Sequence, residues 1–496
     1  MTRNKMSTPS WVQDAIFYQI FPDRFAKSGR NPAGSLPFEP WDSAPTTYGF
    51  KGGDLYGAAE KLDYLKDLGI TAIYFNPIFA SASNHRYHTY DYYNVDPLLG
   101  GNDALKKFLD KAHNRNIRVI LDGVFNHASR GFWQFHHVLE TGEGSPYVDW
   151  FYFDPDRLKG RRRWGAYPAT GELHALQNGE GSLKAIGYQG WWNLPALPKF
   201  NTTTPAVREF LFDVAGYWIK FGIDGWRLDV PGDIDDDSFW QEFRRSVRAI
   251  NPQAYIVGEI WHEAQRWLQG DQFDAIMNYL VTAAAISFFG GQRVNMDVVN
   301  QCGGLQNRVH PAMKALDFAN ELDRLFNLYS PEITRAQLNL LDSHDMPRFL
   351  SCTNGDKDSL KLAWLFMFTI PGAPCIYYGD EVGMDGGHDP YCRKSFPWDE
   401  SKWDKDLLEY ARSCIALRKE HASLRRGEYK RIHAEGDVMA FSRSHKETTI
   451  TAAFNVSNED RTIELPLGKN PRILFGKPVI FGNQITIPPR SGVVLK

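Results

Sequence analysis

Cysteine is scarce in this chain, with five in 496 residues: Cys302, Cys352, Cys375, Cys392 and Cys414. An odd count without metal-ligand spacing argues against a disulfide framework or a thiolate metal site, and favours a reducing compartment. An excess of one charge is also missing. The net charge of −3 gives no electrostatic reason to expect nucleic acid or an anionic membrane as a partner. No apolar run is long enough to span a bilayer. The longest uncharged stretch, Leu362 to Gly379, is broken by Pro371-Gly372-Ala373-Pro374, which predicts a buried helix, a turn and a strand. The amino terminus, Met1 to Gln13, is polar and lacks the apolar core of a signal peptide. The expected location is cytoplasmic.

What is present is acid at the ends of apolar runs. Asp229 closes Gly225-Trp226-Arg227-Leu228-Asp229, Glu259 closes Tyr255-Ile256-Val257-Gly258-Glu259, and Asp345 follows Leu338-Asn339-Leu340-Leu341-Asp342. A carboxylate at the end of a buried strand is costly unless it pairs, binds a ligand or does chemistry. In a barrel of parallel strands such residues converge on one rim, where barrels of this kind place their active sites. Two carboxylates flanking a glycosidic bond are the usual means of cutting it.

Eight short runs have strand character: 15–21, 71–76, 117–122, 223–229, 254–259, 274–279, 338–342 and 374–378. Between them lie segments with helical apolar spacing, such as 58–68, 103–115 and 205–221. Nearly continuous hydrophobic strands bounded by such helices are buried on both faces in a parallel sheet. The pattern predicts an α/β fold, a (β/α)8 TIM barrel. The connection between the third and fourth strands is far longer than usual, and 127–196 reads as a small inserted domain. It contains a basic run, Lys159 to Arg163, expected to be a solvated loop. The barrel then comprises 1–126 and 197–421. Alternating segments in 422–496 predict a C-terminal antiparallel β-sandwich domain.

Within the fourth strand Arg227 and Asp229 share a face. The arginine is expected to pair with Asp229 and depress its pKa, as a nucleophile requires. Glu259 ends an uncharged run beside Trp261, and an apolar surround raises a carboxyl pKa toward that of a general acid. Asp345 follows Ser343-His344 in a turn that can expose both side chains. Asp122 ends the third strand and is followed at once by Asn126-His127.

Four segments occur in order: Asp122-Gly123-Val124-Phe125-Asn126-His127, Gly225-Trp226-Arg227-Leu228-Asp229, Gly258-Glu259-Ile260-Trp261 and Leu341-Asp342-Ser343-His344-Asp345. Together they resemble the four signature regions of the α-amylase family of glycoside hydrolases, across nearly the whole chain. The resemblance implies Asp229 as nucleophile, Glu259 as acid/base and Asp345 as transition-state stabiliser. It places Asp122, Arg227, His127, His344, and His85 and Tyr87 of His85-Arg86-Tyr87, around the cleaved sugar. Leu197-Pro198-Lys199-Phe200-Asn201 and the stretch from Gly383 to Arg393 are similar to the neopullulanase, cyclomaltodextrinase and maltogenic amylase branch, with Asp389 and Arg393 as sugar contacts. Trp191, Trp192 and Trp261 are candidates to offer ring faces to sugars.

That resemblance implies a retaining hydrolase of α-1,4 glucosidic bonds in cyclodextrins and short maltodextrins, with α-1,6 bonds left open. The expected partner is an α-glucan oligosaccharide, with neither nucleic acid nor membrane. Relatives in this branch carry an N-terminal domain through which they dimerise; here the barrel begins near Trp11, which leaves oligomeric state open. Val230-Pro231-Gly232-Asp233 lacks the histidine that supplies a calcium ligand in many α-amylases. Phe25 to Asn31 lacks the acids that this branch uses for calcium, although Gly53-Asp54 remains. No cofactor is required, no metal-ligand residues are assigned, and calcium is not expected at high occupancy. The alternative on the same scaffold is an α-glucan transglycosylase, which shares the intermediate and differs in the acceptor. A metal-dependent hydrolase is disfavoured because the first strand offers no histidine, and a dead scaffold because all three acids are kept.

Overall fold

The computed structural model describes residues 8–30, 37–159, 165–468 and 470–496. The first seven residues, Asn31 and positions 160–163 of the basic run lie outside the described residues. Eight parallel strands follow the order of the apolar runs: β1 (Phe17–Ile20), β2 (Ala72–Phe75), β3 (Arg118–Gly123), β4 (Gly225–Leu228), β5 (Tyr255–Gly258), β6 (Ala275–Ile276), β7 (Leu338–Asn339) and β8 (Ala373–Tyr377). Neighbours pair in sequence from β1 to β6, while β8 lies between β1 and β7. A parallel bridge from Met277 to Leu338 and the Asn278 N–H to the Leu338 carbonyl (2.9 Å) close the ring between β6 and β7. β6 is shorter than its apolar run because Tyr279 already begins a helix, Tyr279–Ala285.

The outer helices bury one face each. Helix Pro205–Phe221 has proline in its first turn and Gly222 after its last, and buries Val207, Leu211, Val214 and Trp218. Fully burying side chains of this size contributes about 1.5–3 kcal/mol each. The run at 58–68 is two helices, Leu55–Glu60 and Leu62–Leu68, because Lys61 leaves helical geometry between them. The run at 103–115 begins earlier, at Gly101, and ends at His113. Close strand packing explains Gly225, where a Cβ would collide with the Tyr255 backbone across the β4–β5 pair.

A hairpin of Phe79–Ser81 and Thr89–Val95 follows β2. Between β3 and β4 the chain forms short helices, including Trp133–Thr141 and Thr170–Gln177. Isolated bridges, His127 to Lys199 and Gly190 to Pro198, tie the Leu-Pro-Lys-Phe-Asn segment to this region. Beyond helix Ala422–Arg426 come antiparallel sheets of five and three strands. Two buried arginines join them to the barrel through carbonyl oxygens. Arg418 reaches those of Phe368, Ile370, Gly372 and Leu424, while Arg443, on a sheet strand, reaches those of Thr369 and Gly427. All five cysteines are buried and unpaired.

Candidate active site

The rim is set by the last ladder bonds of β3, β4 and β5. The Gly123 carbonyl accepts the Asp229 N–H and the Leu228 carbonyl accepts the Glu259 N–H, both at 3.0 Å. Each acid therefore sits one step beyond the pairing, at the same end of adjacent strands. Asp122 and Arg227 are direct cross-strand neighbours. The fully buried Arg227 guanidinium holds three carboxylates. Nη1 lies 2.9 Å from Asp122 Oδ1 and 3.1 Å from Asp229 Oδ1, and Nη2 lies 2.9 Å from Glu259 Oε2. A buried charge is tolerated only when such contacts compensate its lost hydration.

One guanidinium cannot neutralise three acids. Burial, followed by the neighbouring Glu259 carboxylate, pushes Asp229 well above the ordinary carboxylate range against the pull of Arg227. This corrects the expectation that Arg227 would depress it. Burial also raises Glu259, although its surround is less apolar than the sequence suggests, since Arg227 opposes the shift. The pair is best described as holding one shared proton, because two buried like charges this close do not both ionise. The Trp261 indole donates to Glu259 Oε1 (3.1 Å) and the Val230 N–H to Oε2 (3.0 Å). Asp229 Oδ2 has no hydrogen-bond partner among the described residues. A carboxylate with one oxygen held and the other free is suited to attack.

Opposite stands a second cluster. His344 is completely buried, although a turn there can expose its side chains, because Gln19 Nε2 meets its Nδ1 (2.9 Å) and the Tyr87 hydroxyl meets its Nε2 (2.6 Å). The Gln19 amide donating to Nδ1 leaves the proton on Nε2, which also lies 3.0 Å from Asp345 Oδ2. Asp345 keeps 32% of its side chain exposed. Against the cost of burial, His344 and then Arg393 hold it below the ordinary carboxylate range. Arg393 spans Asp345 (3.3 Å) and Asp389 (3.0 Å) and is fixed by the His344 carbonyl (2.8 Å). The Tyr87 hydroxyl donates to Asp122 Oδ2 (2.8 Å), which joins the two clusters.

His85 accepts the Tyr87 N–H at Nδ1 (3.2 Å), and burial and then Arg393 keep its pKa well below the usual value. His127 is buried, and its pKa is pushed down to about 3 by burial and then by His88. Its ring stacks on Trp191 at 4.9 Å and 13°. Trp261 stacks face to face on Tyr279 at 3.6 Å. The network thus gathers Asp122, Tyr87, Arg227, Asp229, Glu259, Trp261, His344, Asp345, Asp389 and Arg393, with His85 and His127 beside it. It also contains Gln19, Tyr74 and Tyr279, which sequence reasoning missed; Tyr74 donates to Asp122 Oδ2 (2.8 Å). Gln19 carried a signal, being an amide inside an otherwise apolar strand.

A calcium shell takes six to eight oxygens, and the acid retained at the candidate loop, Asp54, is engaged within the fold. Asp54 caps helix Leu55–Glu60 through the Gly57 N–H (2.7 Å), and its other oxygen accepts from the Ser28 N–H and hydroxyl (3.0 and 2.8 Å). Among the described residues no group of three or more His, Cys, Asp or Glu is placed to hold a metal, and none of their helices is long and apolar enough to cross a membrane.

The family model for the alpha amylase catalytic domain matches residues 19–413. A cyclomaltodextrinase of a Bacillus species is 44% identical over 94% of this chain and 77% of its own. Neopullulanase 2 of Thermoactinomyces vulgaris is 39% identical over 99% of this chain and 78% of its own. The native structure of a Nostoc punctiforme debranching enzyme superposes with a TM-score of 0.87 at 44% identity, covering 99% of both chains.

Proposed function

Since the chain belongs to the α-amylase family, we propose that it hydrolyses α-1,4 glucosidic bonds of cyclodextrins and short maltodextrins by double displacement, in the cytoplasm. The observation that carries this reading is the single buried guanidinium gripping Asp229 and Glu259 at the ends of adjacent strands. An arrangement of this kind keeps two carboxylates close, and retaining glycosidases need them about 5–5.5 Å apart.

In the first step Glu259 gives its proton to the glycosidic oxygen while the free oxygen of Asp229 attacks the anomeric carbon. The leaving chain departs with that proton, and a covalent glycosyl-enzyme forms. Glu259, now ionised, takes a proton from water, and the resulting hydroxide displaces Asp229 from the opposite face. Asp345, kept ionised by His344 and Arg393, faces the positive charge of the oxocarbenium-like transition state. Losing an electrostatic stabiliser of this type costs about 10²–10³ in rate. His85, His127, Asp389 and Arg393 bind the hydroxyls of the sugar, Tyr87 stacks on it, Asp122 fixes Arg227 and Tyr87, and Trp261 holds Glu259 in place. No step requires a metal.

The names of the relatives, a cyclomaltodextrinase and a neopullulanase, support small or cyclic α-glucans over polymer. The test is kcat/KM for β-cyclodextrin against soluble starch, counted per reducing end. The ring should be the better substrate. A clear preference for starch would overturn that assignment, and negligible hydrolysis with disproportionation of maltotriose would make the protein a transglycosylase.

A further inference from the structure

Outside the catalytic cluster several aromatics are exposed, and one of them continues a stack of rings that starts beside the site. Trp192 is 76% exposed. It also has a left-handed backbone (φ 50°, ψ 30°), as does the following Asn193 (φ 58°), a conformation that residues other than glycine seldom adopt. The geometry is held by its neighbours. The Gly190 N–H donates to the Ser182 hydroxyl (2.9 Å), the Trp191 N–H to the Leu197 carbonyl (2.8 Å), and the Ser182 N–H to Asn193 Oδ1 (2.9 Å). At Gly190 a Cβ would collide with the Leu194 carbonyl.

The result is a ladder of rings leading out of the site. His127 stacks on Trp191 (4.9 Å, 13°), and Trp191 stacks on Trp192 (4.6 Å, 19°). Trp191 is oriented by its indole N–H, which donates to Asp233 Oδ2 (2.6 Å). Asp233 lies in the loop that follows Asp229, and its carbonyl also accepts from Lys199 Nζ (2.7 Å). The ladder is therefore fixed to the strand that carries the attacking carboxylate. Trp191 uses its N–H on Asp233 and lies between two rings, whereas Trp192 keeps an open face and an indole N–H without a partner among the described residues. At the inner end of the ladder, His127 is 1% exposed and its Nε2 likewise has no partner, a buried polar atom that calls for a ligand hydroxyl.

We infer that Trp192 is the platform of an outer glucosyl subsite, stacking on a ring of the α-glucan beyond the one cleaved, so that it selects for chain length. The inference rests on the proposed α-glucan hydrolysis. A pyranose presents an apolar face of C–H bonds to an aromatic ring and hydroxyls at its edge, which suits an exposed indole with a free N–H. A short substrate that ends before the ladder gains nothing from it.

The experiment compares wild type with Trp192→Ala and Trp192→Phe on maltotriose and maltohexaose. Trp192→Ala should lower the ratio of kcat/KM for maltohexaose to that for maltotriose by about tenfold, the scale of one lost ring contact. Trp192→Phe, which keeps a ring, should restore most of the ratio. Melting temperatures should agree among the three proteins, since the side chain is exposed. Equal losses on both substrates, or no loss on either, would overturn the inference. A wild-type protein that cleaves neither substrate would instead sink the proposed function.

Discussion

Glu259→Gln separates acid catalysis from nucleophilic attack. The glutamine keeps the shape of Glu259, and its single amide oxygen can still accept from either the Trp261 indole or the Val230 N–H. What it removes is the proton donor and one of the charges on Arg227. Oxygens of Asp229 and Glu259 contact the two Nη atoms of one guanidinium, and retaining enzymes keep such carboxylates about 5 Å apart. At an effective permittivity of about 20 two full charges at that distance repel by about 3 kcal/mol. The wild-type pair should therefore keep one proton to well above the ordinary carboxylate range, and kcat/KM on a maltodextrin should be bell-shaped in pH. Its alkaline limb marks loss of the shared proton, and its acid limb marks protonation of Asp229 while Glu259 is neutral. Loss of the acid should cost at least about 10² in kcat. α-Maltosyl fluoride, whose leaving group departs without a proton, should escape most of that loss in the glycosylation step. With the fluoride, Glu259→Gln should show no alkaline limb, while the acid limb stays near the wild-type position because glutamine imitates the neutral acid. The assay is fluoride release followed across pH. An alkaline limb that persists in the variant, or a maltodextrin rate above a tenth of wild type, would refute the assignment of Glu259.

Two further outcomes are expected. Proton NMR of the first product should show the α-anomer before mutarotation, since double displacement inverts twice; an initial β-anomer would require a water between the two carboxylates. Treatment with EDTA should leave both activity and melting temperature unchanged, because Asp54 already serves as a helix cap; a loss restored by calcium would reveal a bound ion that stabilises the native state by mass action.

The barrel was legible because its strands are buried on both faces and so read as continuous apolar runs, as in Tyr255-Ile256-Val257-Gly258. The hairpin strand Thr89–Val95 was not, because Tyr90 and Asn94 are exposed and Asp91 and Tyr93 only half-buried among buried positions, which dilutes the signal. In the C-terminal region Glu428–Glu435 was missed for the same reason: none of its residues is fully buried. Strand-end acids could be found one by one, since charge at the end of an apolar run stands out. Their protonation could not. The sequence places Arg227 two residues from Asp229, but the contacts with Asp122 and Glu259 that divide its charge come from adjacent strands. The turn after the seventh strand could have exposed His344, whereas Gln19 and Tyr87 enclose it from distant parts of the chain.

Arg418 and Arg443 bear on how modular this enzyme is. Among the described residues neither guanidinium has a carboxylate partner; both instead donate to carbonyl oxygens of the segment from Phe368 to Gly372, the turn that feeds β8. That strand leads directly to Asp380, which holds Arg348, whose Nε donates to the carbonyl of Cys392, next to Arg393. The seam near residue 422 is therefore not a point where the chain can be cut or a foreign C-terminal region grafted. A chimera joined there would lose Arg443, leave the Thr369 carbonyl without its donor, and loosen the foundation on which the Arg393 side of the catalytic rim stands.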